Sequence, residues 1–303
     1  MIQDCLPLAK EVFPICIPSY NRWDKKENKT LSNLIANCDE EIQRNTYVFV
    51  RAEQEEAYRE SFGGICNIVV LPKVNGLSST RQYICDYVAD TLNKPYCIDM
   101  DDDIVSLGVV ELSDGKIKSV KEDTAQIFRL GCEIAKRAFE KDKTMVLGAM
   151  RRIRFCNNEE NVKYAFVSNK GPTPRQVTFC AVQRMAKVKI RRNPTFDVNG
   201  DDIGLVAECS KAYGSFFSIC CLTYNFVDDS VNSVIRNKSN IRQKTAHTYN
   251  ELKKYPLINY LRIPFTFEDG AYKFGDIDFT KYKKYTGKKS LKYPMEELWK
   301  SLK

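Results

Sequence analysis

The carboxylates Asp99, Asp101, Asp102 and Asp103 close the apolar segment Tyr96-Cys97-Ile98 and are followed by Ile104. Like charges this close repel, so the cluster calls for a cation. Asp101 and Asp103 stand two residues apart, which puts both side chains on one side of extended backbone. Two hard oxygen ligands with open positions left over suit Mg2+ or Mn2+ bridging to a diphosphate. The plainer alternative is a solvated acidic loop after a strand. A second cluster, Asp201-Asp202, follows Gly200 and precedes Ile203, Val206 and Ala207, which suit a buried helix face. Carboxylates there either complement the helix dipole or act as a general base that takes a proton from an attacking hydroxyl.

These residues need elements to hold them. Val12 to Pro18 reads as a first strand that runs into the loop Pro18-Ser19-Tyr20-Asn21-Arg22. Thr30 to Ala36 has helical spacing, Thr46 to Val50 is a second strand, and Glu53 to Phe62 is a helix closed by Gly63-Gly64. Ile65 to Leu71 is a third strand. Gly76-Leu77-Ser78-Ser79-Thr80-Arg81 then opens a helix over Thr80 to Leu92, and the strand at Tyr96 follows. Alternation of strand and helix predicts an α/β fold with a mixed, mostly parallel sheet flanked by helices and ligands at the carboxyl ends of the strands. Pro18, Gly76 and Asp101 each follow a strand, so one sheet edge gathers them.

Further on, Leu112 to Ile117 reads as a hairpin turn. Asp123 to Phe139 is a helix, capped by Asp123, with Ile127, Leu130, Ile134 and Ala138 on one face. Met145 to Ala149 is a strand. Asn157 to Asn161 and Asn169 to Pro174 are polar loops, and Thr178 to Val188 reads as a strand pair.

The 303 residues suffice for one large domain or two coupled halves. With 43% hydrophobic content, no stretch approaches the roughly 20 apolar residues of a membrane span. No basic flank leads into an apolar run near Met1, so the expectation is a soluble, cytoplasmic protein. The twelve Cys lack paired metal-finger spacing, and Cys16, Cys85, Cys97, Cys132, Cys180, Cys220 and Cys221 sit among apolar neighbours, as small core residues do. A single His argues against a histidine triad or a multi-histidine zinc site. The formal charge of +8 points to an anionic partner such as a nucleic acid or nucleotide.

In order, a strand into Pro18-Ser19-Tyr20-Asn21, a Gly76 to Arg81 turn, Asp101-Asp102-Asp103 after a strand, and Gly200-Asp201-Asp202 about a hundred residues later resemble a glycosyltransferase of the GT-A type. The resemblance covers about residues 11 to 210. It implies a GT-A (Rossmann-like) core over 1–215, with a nucleotide-binding half at 1–105, an acceptor half at 106–215, and a helical, basic extension at 216–303 packed on it. It also implies a nucleotide-sugar donor, a UDP-sugar, and Mn2+ or Mg2+. Pro18, Ser19, Tyr20 and Arg22 would line the nucleoside pocket. Gly76 and Arg81 would serve ribose or phosphate, Asp101 and Asp102 the nucleotide, and Asp101 and Asp103 the metal. Asp202 would be the base, with Asp201 beside it, where the usual pair is Glu-Asp. Asp99-Met100-Asp101 offers a second register, set aside because Asp99 sits within the strand. A C-terminal His or Asp often completes such a metal site, which makes His247 a candidate and Asp228 or Asp229 alternatives.

The wording Ile17-Pro18-Ser19-Tyr20-Asn21-Arg22, Gly76-Leu77-Ser78-Ser79-Thr80-Arg81 and Ile98 to Ile104 is similar, more narrowly, to the TET-associated glycosyltransferases of bacteriophages. That resemblance implies sugar transfer to a hydroxy- or hydroxymethyl-pyrimidine in phage DNA. Arg151, Arg152, Arg191, Arg192, Lys283 and Lys284 are the candidate nucleic-acid contacts, interleaved with aromatics near the C-terminus. A solvated basic surface is the alternative for them. Rival functions are a GT-A enzyme with a polysaccharide, lipid or protein acceptor, a nucleotidyltransferase, and a non-catalytic DNA-binding protein.

Overall fold

Four parallel strands carry the first acidic cluster. In the computed structural model they are β1 (Ile15–Pro18), β2 (Thr46–Val50), β3 (Asn67–Val70) and β4 (Cys97–Met100), in the order β3-β2-β1-β4. The structure describes residues 2–24, 26–74, 76–153, 156, 158–168, 176–197, 200–212, 214–227, 241–256, 267–268, 271–272 and 290–303. After the short α1 (Ile2–Cys5), the three crossovers run through a π-helical turn (Thr30–Leu34) and α2 (Glu40–Arg44), α3 (Glu55–Phe62), and α4 (Leu77–Asp86). Helix–strand crossovers of this kind keep strands parallel and bring their carboxyl ends to one edge.

The sheet continues across β4. A long hairpin, β5 (Ile104–Ser113) and β6 (Lys116–Lys121), turns at Asp114 and Gly115, both with positive φ, as a two-residue primed turn requires. Then come α5 (Thr124–Lys141), β7 (Met145–Arg152), α6 (Glu160–Lys163), β8 (Tyr164–Ser168) and β9 (Val177–Cys180). They lead to α7 (Val182–Lys187), α8 (Asp201–Lys211), β10 (Ser215–Phe226) and α9 (Ile241–Leu252). A small pair, β11 (Phe267–Glu268) with β12 (Ala271–Tyr272), precedes β13 (Lys292–Pro294) and α10 (Met295–Leu302).

The main path is β13-β8-β10-β7-β9-β4-β1-β2-β3, with β5 attached to β10 and β6 paired to β5. Along that path β8 and β9 run against the other strands. The expected mixed, mostly parallel sheet is therefore present. One core lies on the α5 face, where Ile127, Leu130, Ile134 and Ala138 are buried as their spacing predicts and Asp123 caps Gln126 N at 2.8 Å. The other lies under α4, α7 and α8. No helix of the described residues is long and apolar enough to cross a membrane. The twelve cysteines are free, and all but Cys66 are buried.

Two expectations change. Thr178 to Val188 is not a strand pair, because Val182 and Met185, three apart, turn the segment after β9 into α7. Asn161 lies in α6 rather than a loop, while 169–175 fall outside the described residues. β10 begins at Ser215 and pairs with β5, β7 and β8. Its residues 215–224 are buried. At the far edge, Met295 and Leu298 of α10 join the first core cluster.

Candidate active site

Asp99 stands inside β4 and is 1% exposed. A carboxylate so placed must be paired, and two buried arginines pair it. Arg81 Nη1, from α4, donates to Asp99 Oδ1 at 2.8 Å, and Arg192 Nη2 donates to Oδ2 at 2.6 Å. The same arginines reach Asp201 at the start of α8, with Arg81 Nε 3.3 Å and Arg192 Nη1 3.4 Å from its Oδ2. Arg81 also bonds Asp101 Oδ1 through Nη2. Arg192 is held by its backbone N–H, which donates to Gln82 Oε1 at 2.7 Å. This buried lattice joins the two acidic clusters that the sequence separates by a hundred residues.

Beyond the strand, Thr30 sets the acidic loop. Its hydroxyl donates to Asp101 O at 2.7 Å and accepts from Ile104 N at 2.9 Å. Asp102 turns toward the first loop, where Arg22 Nη1 (2.5 Å) and Ser19 Oγ (2.6 Å) donate to it. Ser19 Oγ also lies 2.7 Å from Tyr58 OH, and Asn28 Nδ2 donates to it at 3.2 Å. Asp103 is treated differently, since its buried Oδ1 has no hydrogen-bond partner. Burial, opposed by Arg81 and reinforced by the Asp103 charge, pushes the Asp101 carboxyl up to about 7. Burial, then the neighbouring Asp102 charge, raises Asp103 to about 6. Burial and neighbouring acidic charge make ionisation of both carboxyls costly despite Arg81, and a divalent cation would offset that cost. The residues present therefore fit a divalent metal.

Gly76 and Gly200 flank the cleft with φ of +97° and +81°, which glycine adopts without strain. A Cβ at Gly76 would overlap Asp197. Asp197, in the 3-10 turn Pro194–Asp197, accepts from Ser79 N at 2.7 Å and Ser79 Oγ at 2.5 Å. It thus caps α4 from the segment that leads into α8. Asp202 Oδ1 accepts from Ile203 N at 2.8 Å, so part of this side chain serves the helix start.

The other candidates lie as follows. Pro18 ends β1, and Tyr20 is 37% exposed with the Arg51 guanidinium 4.2 Å from its ring centre. His247, on α9, is exposed and has Nε2 3.1 Å from Thr195 O. Among the described residues no group of three or more His, Cys, Asp or Glu is placed to hold a metal, so His247 does not complete a three-ligand set with Asp101 and Asp103. Arg191 is exposed and bonds Asp86 Oδ2 at 2.6 Å. Arg152 lies over the Phe226 ring at 3.8 Å. Arg151 and Arg192 are buried, so neither belongs to a solvent-facing basic surface. Lys283, Lys284, Asp228 and Asp229 lie outside the described residues. Tyr58, Asn28, Thr30 and Asp197 escape sequence reasoning, because single polar residues with no motif acquire roles only through the fold.

Residues 13–211 match the family model described as TET-Associated Glycosyltransferase. No curated protein matches the chain. Among solved structures the chain is similar to glucosyl-3-phosphoglycerate synthase from Mycobacterium tuberculosis in complex with Mn2+, uridine diphosphate and glucosyl-3-phosphoglycerate. The identity is 9%, coverage 91% of each chain, and the TM-score 0.46. It is also similar to S. aureus TarS 1-349, at 10% identity, coverage of 84% of this chain and 76% of that one, and a TM-score of 0.44. A third is mannose-1-phosphate geranyltransferase from Thermus thermophilus, at 10% identity, coverage of 78% of this chain and 79% of that one, and a TM-score of 0.40. The family match spans more than half of the sequence and includes both acidic clusters. The chain belongs to the TET-associated glycosyltransferase family.

Proposed function

We propose that the chain moves a sugar from a UDP-sugar to the hydroxyl of a 5-hydroxymethyl- or hydroxy-pyrimidine in phage DNA, with Mn2+ or Mg2+ as cofactor. The observation that carries the metal is the buried Asp103 Oδ1 without a donor, next to an Asp101 carboxyl that burial has pushed up to about 7. Sites for Mg2+ take one or two carboxylates and fill the remainder with water and substrate phosphate, so Asp101 and Asp103 are a sufficient protein share. Asp101 and Asp103 would hold the ion, which would supply positive charge beside the departing diphosphate.

The side chains around that pair bind and orient. Arg81, braced by Asp99 and Asp201, presents its guanidinium beside Asp101 for the ribose or phosphate. Ser19, Arg22 and Asp102 form one bonded unit, which with Pro18 and Tyr20 shapes the nucleoside pocket. In the transfer the acceptor oxygen bonds to the anomeric carbon as that carbon's bond to the β-phosphate oxygen breaks. Asp202 takes the hydroxyl proton in an inverting transfer. The DNA acceptor is supported by the family match and by the formal charge of +8. A base within a duplex is out of reach, so the reading entails extrusion or groove access.

The test is incubation with Mn2+, a panel of nucleotide sugars, and duplex DNA carrying 5-hydroxymethylcytosine or plain cytosine, followed by digestion and nucleoside masses. The expected result is a hexose- or pentose-sized gain on the modified base alone. Slow hydrolysis of the nucleotide sugar with no gain on DNA overturns the acceptor and leaves the glycosyltransferase. Undiminished turnover after EDTA overturns the metal.

A further inference from the structure

Arg151 is 4% exposed, yet among the described residues no carboxylate pairs with it. Its Nη1 donates to Asn161 Oδ1 at 2.8 Å, and its Nε has no partner. Asn161 is itself fully buried, and its Nδ2 has no acceptor. Arg81 and Arg192, the other buried arginines of this sheet face, are matched by Asp99 and Asp201. A buried guanidinium is ordinarily paired with an acid or bound to an anion. Here the described residues supply no countercharge, and two buried N–H donors are left over on side chains already bonded to each other.

The sheet says where this locus faces. Asp99, Thr178 and Ala149 align across β4, β9 and β7. Asp101 N donates to Gln176 O at 2.9 Å, which carries the alignment one step further toward the carboxyl edge. Arg151, two residues after Ala149, therefore stands on the face of Asp101, two strands away, or about 10 Å. It is the penultimate residue of β7, and Ile153 just beyond is 44% exposed. Arg151 thus lies at the sheet edge that carries the acidic clusters, one residue before the end of β7.

We infer that Arg151 and Asn161 form an anion subsite that takes a phosphate of the nucleic-acid acceptor, at the nucleotide drawn into the cleft. This rests on the DNA-acceptor reading and adds to it a fixed point for the acceptor strand. Planar N–H groups of a guanidinium suit phosphate oxygens. The burial of the pair excludes a phosphate that merely lies along a groove and admits one carried inward with an extruded base.

The test measures binding of a duplex with one 5-hydroxymethylcytosine across a salt series, for the wild-type chain, R151Q and N161D. R151Q deletes the charge, and N161D fills the subsite with a carboxylate that pairs with Arg151. Both are expected to weaken binding about tenfold and to lower the slope of log Kd against log salt by about one. Removing or neutralising an unpaired buried charge leaves the fold intact, which the thermal unfolding of both variants checks. Wild-type salt slope and affinity retained in both folded variants overturns the subsite while the acceptor reading stands. No salt-dependent DNA binding by the wild-type chain overturns both. A thermal shift with inorganic phosphate that N161D abolishes, with DNA affinity unchanged, assigns the pair to free phosphate and overturns the nucleic-acid role.

Discussion

Asp99 and Asp103 lie four residues apart and face opposite circumstances. Asp99 is at the floor of the cleft, with both oxygens taken by Arg81 and Arg192. Asp103 is at the rim and half-buried, with one buried oxygen that nothing donates to. Between them, Asp101 shares Arg81 and Asp102 is held by Arg22 and Ser19. The floor is electrically closed and the rim is open. A fold that neutralises one carboxylate so completely and leaves its neighbour short of charge has reserved the second for something that arrives from solution. In the proposed reaction the floor would set geometry and the rim would bind.

The strongest way to break this contrast is at the floor. Arg192→Met leaves Asp99 and Asp201 short of a counter-ion in a buried setting. Chemical denaturation is expected to show a loss of about 3–5 kcal/mol, the cost of breaking a buried pair from one side. A stability equal to wild type would show the floor to be dispensable.

At the rim the expectation reverses. Asp103→Asn is expected to lower sugar transfer at least about a hundredfold, the scale of losing one preorganised electrostatic group. Its metal-free stability should be no lower than wild type, because a costly charge has been removed. Full transfer by this variant would sink the metal assignment. Isothermal titration with Mn2+ and UDP gives a second readout, expected to lose its metal-dependent heat.

Asp197 connects floor and rim from the side. Asp197→Ala removes the cap on Ser79 N and is expected to cost about 1 kcal/mol in unfolding free energy. Because the cap lies between α4 and α8, kcat should fall more than KM rises, and Asp197→Asn should recover part of it.

The smallest effect is with pH. Asp101 and Asp103 have carboxyls raised by burial to about 7 and about 6, so the folded chain binds these protons more tightly than the unfolded one. Stability of the metal-free protein from these two groups therefore rises as pH falls through 7 and 6, and the gain is complete only near the ordinary carboxylate range of about 4. Melting curves between about pH 8 and pH 5 should show that rise, and Asp103→Asn should flatten it.

Much of the donor half was legible. Apolar runs four or five residues long, separated by helical segments, predict β1 to β4 in the right order, and the Asp-rich stretch after the fourth strand falls at the carboxyl edge where ligands collect. The second half resisted. β10 is buried along most of its length and pairs with three strands, so it shows no alternation that would announce it. The α7 segment was ambiguous because short apolar runs suit either element. Arg192 read as a surface cation because its neighbours Arg191 and Lys189 are basic, and only its burial beside Asp99 shows otherwise.

The sequence by itself determined the class of chemistry: two carboxylates in alternating positions after a strand, a second acidic pair downstream, and a charge suited to an anionic partner. Those properties are local, set by residue type and spacing. Which carboxylate is closed and which is open was decided by tertiary structure alone. Arg81 and Arg192 come from distant segments, and a charge is neutralised by whatever lies within a few ångströms of it, however far along the chain that group stands.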